Sequence, residues 1–185
     1  MSLRWLPNAI CVLRMLLVPP FVAALLAERY GTALILLIVA GLSDGLDGFL
    51  AKTFDWRTRL GSLLDPAADK LLLVSTFVAL TYLRVLPVAV TAVVVGRDVL
   101  IVGGAIAYQL LIEPVQGEPA VISKLNTACQ LALVFFAITN AGFDWPPRIV
   151  VVLLGAAVVF TSLVSGLNYV LRWSRRAWRV GHAPE

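Results

Sequence analysis

The run from Ile149 to Leu171 carries no charged side chain. It is long enough to cross the roughly 30 Å of bilayer hydrocarbon, which takes about 20 helical residues. A chain with such a run folds in lipid or hides the run in a large core. With 185 residues, 60% apolar and 14% charged, against about 45–50% and about 25% in soluble domains, it has too few polar residues to cover a water-facing globule. That excludes a water-soluble enzyme, a nucleic-acid-binding domain and a disordered regulator. Cys11 and Cys129 are far apart in apolar runs, so no disulfide framework or metal knuckle is expected. The single histidine, His182, sits in the polar tail, which removes Ser-His and Cys-His machinery and His-based zinc sites.

Six apolar segments follow one another: Ile10–Ala27, Gly31–Leu42, Leu71–Leu83, Val85–Ile112, Ala128–Thr139 and Ile149–Leu171. The second, third and fifth are too short to span unless they take in the neighbouring polar residues 43–50, 63–70 and 124–127. With alternating helices, all three polar extensions fall on one side of the bilayer. That side, shared with both termini, holds Arg4, Lys52, Arg57, Arg59, Lys124, Arg172, Arg175, Arg176 and Arg179, whereas the other holds Arg29, Arg84 and Arg148. The positive-inside bias makes the first side cytosolic. No segment shows the alternation of a barrel strand, so helices are the remaining spanning solution.

The expected fold is therefore an all-α integral membrane protein with six transmembrane helices and both termini cytosolic. Residues 1–185 form one membrane domain, with an interfacial lead-in over 1–8 and a basic cytosolic tail over 172–185. No A-x-A site follows the first apolar run, which argues against a secretory signal. The lack of a transit-like presequence favours a bacterial inner membrane over an organelle.

The chemistry is concentrated between Ser43 and Lys70. Asp44 and Asp47 are three residues apart, and Asp65 and Asp69 are four apart, so each pair lies on one face of its helix. The length argument puts both pairs at the cytosolic ends of adjacent antiparallel helices, joined by a short turn around Asp55. Four unpaired carboxylates there would repel strongly, and intramembrane acids are usually functional. One or two hard divalent cations relieve the repulsion, and oxygen-only ligands suit Mg²⁺, Mn²⁺ or Ca²⁺. Gly48, Gly61 and Ala51 leave room for close helix approach or for a flat group, although packing alone explains them equally well. Carboxylates holding metals at a membrane surface suit phosphoryl transfer, with a spare carboxylate as base. A small ion or metal transporter is the rival from another class, but here the acids occupy one hairpin with no counterpart in the second half.

The pattern Asp44-x-x-Asp47-Gly48-x-x-Ala51-Lys52, eight residues, Gly61-x-x-x-Asp65-x-x-x-Asp69 resembles the signature of the CDP-alcohol phosphatidyltransferases. Lys52 stands where that family usually has arginine, keeping the charge but not the planar fork. Pro7-Asn8, Arg14 and Pro19 are similar to the family's first helix. The resemblance implies transfer of a phosphatidyl group from CDP-diacylglycerol to an alcohol with release of CMP. It implies Asp44, Asp47, Asp65 and Asp69 as ligands of two Mg²⁺ or Mn²⁺ ions, with Asp69 also the general base. Gly48, Ala51 and Gly61 would line the cytidine pocket, Lys52 would meet the diphosphate, and Asn8 would lie on the nucleotide side. It also implies a homodimer with active sites open to the cytosol.

The acceptor alcohol is a matter for the second half. Ser123-Lys124-x-Asn126-Thr127 is similar to the corresponding stretch of the CMP-forming cardiolipin synthases, whereas phosphatidylglycerophosphate synthases have Gly-Lys-x-Lys-Thr there. A phosphomonoester such as glycerol 3-phosphate carries about two negative charges and asks for two cations. A phosphodiester such as phosphatidylglycerol carries one, which Lys124 with Asn126 would satisfy. Lys124 reads equally as a positive-inside anchor. Arg97-Asp98 falls inside the fourth segment, where it either faces a polar cavity or ties helices together as a buried pair. The expectation is transfer to phosphatidylglycerol, with Arg97, Lys124 and Asn126 as acceptor-binding residues. Glycerol 3-phosphate is the alternative acceptor.

Overall fold

Each apolar segment forms the body of a helix in the computed structural model, and the polar extensions are helical with them. The structure describes residues 6–54, 59–111 and 121–181, with side chains described at 9–46, 53–54, 68–104 and 122–171. Its elements are α1 (Leu6–Leu26), α2 (Tyr30–Thr53), α3 (Arg59–Tyr82), α4 (Val88–Leu111), α5 (Val121–Phe143) and α6 (Arg148–Gly181). Helix α2 runs through Ser43–Leu50, α3 begins before Leu63, and α5 begins before Lys124, as the span-length argument requires. Asp55 lies outside the described residues.

By length and composition, Ala9–Leu26, Ile122–Phe143 and Arg148–Leu171 can each cross a membrane, and Tyr30–Leu46 is a shorter apolar helix. Large apolar side chains such as Leu16, Ile35, Leu42, Leu153 and Phe160 are exposed, a surface that water does not tolerate over so wide an area. Helix α6 has 34 residues, about 51 Å at 1.5 Å per residue, so the basic tail begins as a continuation of its helix.

The chain divides into two compact units, Met1–Leu86 with Val134–Arg148, and Pro87–Leu133 with Ile149–Glu185. In the first, α1 packs against α2 and against α3. Cys11, Arg14, Val18, Phe21 and Leu25 are buried on α1 and spaced alternately three and four apart, which makes one stripe on a helix. Ala33, Leu37 and Ala40 form the matching stripe of α2, and Leu72, Thr76 and Leu80 that of α3. The helices of this unit turn back tightly. Glu28 and Arg84 take left-handed φ values of 56° and 59°, and Arg29 and Val85 donate their N–H groups to the carbonyls of Ala24 and Leu80, closing each helix as a Schellman cap.

Candidate active site

Continuing the α2 stripe by four residues from Ala40 reaches Asp44, and continuing the α3 stripe by three residues before Leu72 reaches Asp69. Both carboxylates are thus the charged ends of core-facing rows, and they converge on the charged member of the α1 row. Arg14 Nη1 lies 2.7 Å from Asp44 Oδ1 and 2.6 Å from Asp69 Oδ1. The arginine side chain is 1% exposed, while those of Asp44 and Asp69 are 49% and 47% exposed. A buried guanidinium without partners would be strongly unfavourable; here it forms a cationic floor beneath two half-exposed acids.

Asp47 lies one turn beyond Asp44 on α2, and Asp65 one turn before Asp69 on α3. The side chains of Asp47 and Asp65, and those of Asn8, Gly48, Ala51, Lys52 and Gly61, lie outside the described residues. Among the described residues no group of three or more potential ligands gathers. The two acids that are described nonetheless fit a divalent ion in chemistry: hard carboxylate oxygens from separate helices, already gathered around one positive charge, with a solvent-facing side. What the sequence does not reveal is Arg14's part, because its partners lie 30 and 55 residues away and no spacing rule connects them.

The second unit holds a different polar layer. Arg97 and Asp98 are both buried, and Arg97 Nη1 donates to Asp98 Oδ1 at 2.7 Å. Arg97 Nη2 donates to Ser123 Oγ of α5 at 2.6 Å and to Ser165 Oγ of α6 at 2.8 Å. One turn along α5, Asn126 is fully buried. Its Oδ1 accepts from Ser162 Oγ at 2.9 Å and lies 2.8 Å from Thr161 Oγ1, whose single proton is shared with the Ala157 carbonyl, also at 2.8 Å. Lys124 is exposed near the start of α5. Ser123 is part of the Ser-Lys-x-Asn-Thr stretch, but Thr161, Ser162 and Ser165 are not singled out by sequence reasoning; their only signal is hydroxyl groups at helical spacing within an apolar run.

A family model described as CDP-alcohol phosphatidyltransferase matches residues 4–164. The chain is 33% identical over 180 residues to a CMP-forming cardiolipin synthase of Homo sapiens, covering 89% of this chain and 60% of that one. To a CMP-forming cardiolipin synthase of Streptomyces coelicolor it is 38% identical over 102 residues, 52% of this chain and 47% of the other. To a CDP-diacylglycerol–glycerol-3-phosphate 3-phosphatidyltransferase of Aquifex aeolicus it is 31% identical over 171 residues, 90% and 94% of the two chains. The chain therefore spans about three-fifths of the human relative's length. With the family match extending from α1 to the middle of α6, this chain belongs to the CDP-alcohol phosphatidyltransferase family.

Proposed function

We propose that the chain is a CMP-forming cardiolipin synthase, transferring a phosphatidyl group from CDP-diacylglycerol to phosphatidylglycerol. The reading includes six membrane crossings in one domain, a homodimer, and a bacterial inner membrane with the carboxylate end of α2 and α3 facing the cytosol. The observation that carries the chemistry is the convergence of Asp44 and Asp69, from separate helices, on the buried Arg14. Asp44, Asp47, Asp65 and Asp69 would hold Mg²⁺ or Mn²⁺, and these ions when bound supply charge neutralisation at the diphosphate.

The protein's own groups account for the rest. Asp69 accepts the proton of the acceptor hydroxyl as that oxygen attacks the diacylglycerol-bearing phosphorus. The bond to CMP breaks, and CMP leaves with the electron pair. Arg14 holds Asp44 and Asp69 in place without occupying their exposed side. Lys52 meets the diphosphate, while Asn8, Gly48, Ala51 and Gly61 form the nucleotide side.

For the acceptor, the reading rests on Arg97, Lys124 and Asn126, and on the names of the human and Streptomyces relatives. Arg97 is already paired with Asp98, so Lys124 with the neutral Asn126 suits one phosphodiester charge better than a dianionic phosphomonoester. Phosphatidylglycerophosphate synthesis is the second reading, favoured by the Aquifex relative, whose whole length this chain nearly matches. Purified protein in mixed micelles, with CDP-diacylglycerol, Mn²⁺ and each acceptor in turn, separates the two. Cardiolipin and CMP formed from phosphatidylglycerol are the expected products. Turnover with glycerol 3-phosphate alone overturns the choice of acceptor.

A further inference from the structure

Three buried nitrogens of the second unit have no hydrogen-bond partner among the described residues, Arg97 Nε, Asn126 Nδ2 and Gln130 Nε2, and the buried carboxylate of Asp98 lies beside the first of them. Gln130 is 1% exposed and lies one turn beyond Asn126 on α5, so the two amides share a face of that helix. Every one of the three nitrogens is a hydrogen-bond donor. A buried donor left unmatched costs about 1–3 kcal/mol, and in a helix surrounded by lipid and apolar side chains the opposing benefit has to come from something that binds. Asp98 answers the Arg97 guanidinium, which leaves the two amide donors of α5 to be matched, and an acceptor-only group such as a phosphodiester oxygen matches them.

We infer that Gln130 is a specificity-determining residue, its amide donating with that of Asn126 to a phosphodiester oxygen of the acceptor lipid. Ser162 acts one step back as a positioning residue. By donating to Asn126 Oδ1 it fixes the amide with its N–H₂ end turned away from α6. The inference deepens the acceptor assignment above and rests on it. It adds a reason for discrimination: two neutral amide donors match the single shared charge of a phosphodiester better than the two charges of a phosphomonoester.

The stability of Gln130 variants separates this role from a structural one. A glutamine that merely ties helices together loses stability when replaced by Met or Leu. A glutamine kept for a ligand, with its nitrogen unmatched in the free protein, does not. Gln130→Met and Gln130→Glu are measured beside wild type for thermal midpoint in detergent with EDTA, for the rise in midpoint given by dihexanoyl-phosphatidylglycerol, and for KM of each substrate. Gln130→Met is expected to keep or raise the midpoint. It should lose most of the rise given by the short-chain lipid and increase acceptor KM about tenfold, the worth of one hydrogen bond to a charged group, with KM for CDP-diacylglycerol within about twofold. Gln130→Glu, which sets a carboxylate against the phosphate, should weaken the acceptor further.

An unchanged acceptor KM overturns the inference and makes the unmatched amide the site of a structural water. A lowered midpoint with both KM values rising together overturns it as well, in favour of packing. Should glycerol 3-phosphate prove to be the acceptor, the reading of the reaction fails. The same KM split with that substrate then decides whether Gln130 touches the acceptor's phosphate.

Discussion

Arg14 sets the electrostatics of the described acids. Its Nη1 sits between Asp44 and Asp69, so replacing it by Met, which keeps an unbranched apolar stem, leaves two carboxylates facing each other without their shared cation. Because both are about half exposed, water screens much of the repulsion, and a loss of about 1–3 kcal/mol is expected. A divalent ion bound to the same acids replaces the missing charge. The midpoint of Arg14→Met should therefore fall in EDTA and recover most of the way toward wild type when Mn²⁺ is added. An equal deficit with and without Mn²⁺ assigns Arg14 to packing only. Asp69→Asn tests the neighbouring role, since it keeps size and shape while removing the basic oxygen. Turnover should drop by at least about a hundredfold, the usual worth of a general base, with the protein still folded by thermal midpoint; near-normal CMP release removes the base assignment. The helical positions of Asp44 and Asp69 were legible in the sequence because they follow from span length and helical geometry. Arg14 and Ser162 were not, because each finds its partner on another helix.

The helices themselves were legible from a length argument: an apolar run too short to cross had to include its polar flank, and α2, α3 and α5 all do. The backbone conformation that closes them was not. Glu28, Arg84 and Asp144 adopt left-handed φ where glycine is the usual occupant, so no sequence signal marks those turns. Glycine is needed instead at a helix contact. A Cβ added at Gly142 would stand 2.5 Å from Tyr30 Cβ and 3.2 Å from its Cγ. Tyr30 begins α2 and Gly142 is next to the end of α5, and both belong to the first unit. Ala in place of Gly adds about 0.5–1 kcal/mol of helix stability, whereas forcing an extra methyl into a closed contact costs about 1–3 kcal/mol. The clash wins, and Gly142→Ala should lower the thermal midpoint. The nearest atom is a Cβ, so Tyr30→Ala cannot relieve it and Tyr30→Gly can. Stability restored in Gly142→Ala with Tyr30→Gly, but not with Tyr30→Ala, identifies the contact; equal behaviour of the two doubles rejects it.

Over the whole chain, the structure divides into two compact units, and one of the boundaries between them runs through α5. No sequence signal marks that boundary, because α5 is one uninterrupted apolar helix with no linker inside it. The orientation in the bilayer depends on a different question, whether every helix crosses. If all six do, the turns at Glu28, Arg84 and Asp144 fall on one side, and Thr53 and Gly181 on the other. The charge count then has a consistent sign, since the Thr53 side collects most of the arginines and lysines and should face the cytosol. The weak points are α2, α3 and α4, which cross only by carrying polar residues into the membrane region. Single cysteines at Glu28, Arg84, Asp144, Thr53 and Gly181, in a background of Cys11→Ser and Cys129→Ser, test each crossing separately. A membrane-impermeant maleimide applied to intact cells should label the first three, and the last two only after permeabilisation. Labelling of Glu28 and Thr53 from the same side means that α2 does not cross. Asp44 and Asp69 would then have no membrane face to work at, and the proposed transfer between two lipids would fail with the topology.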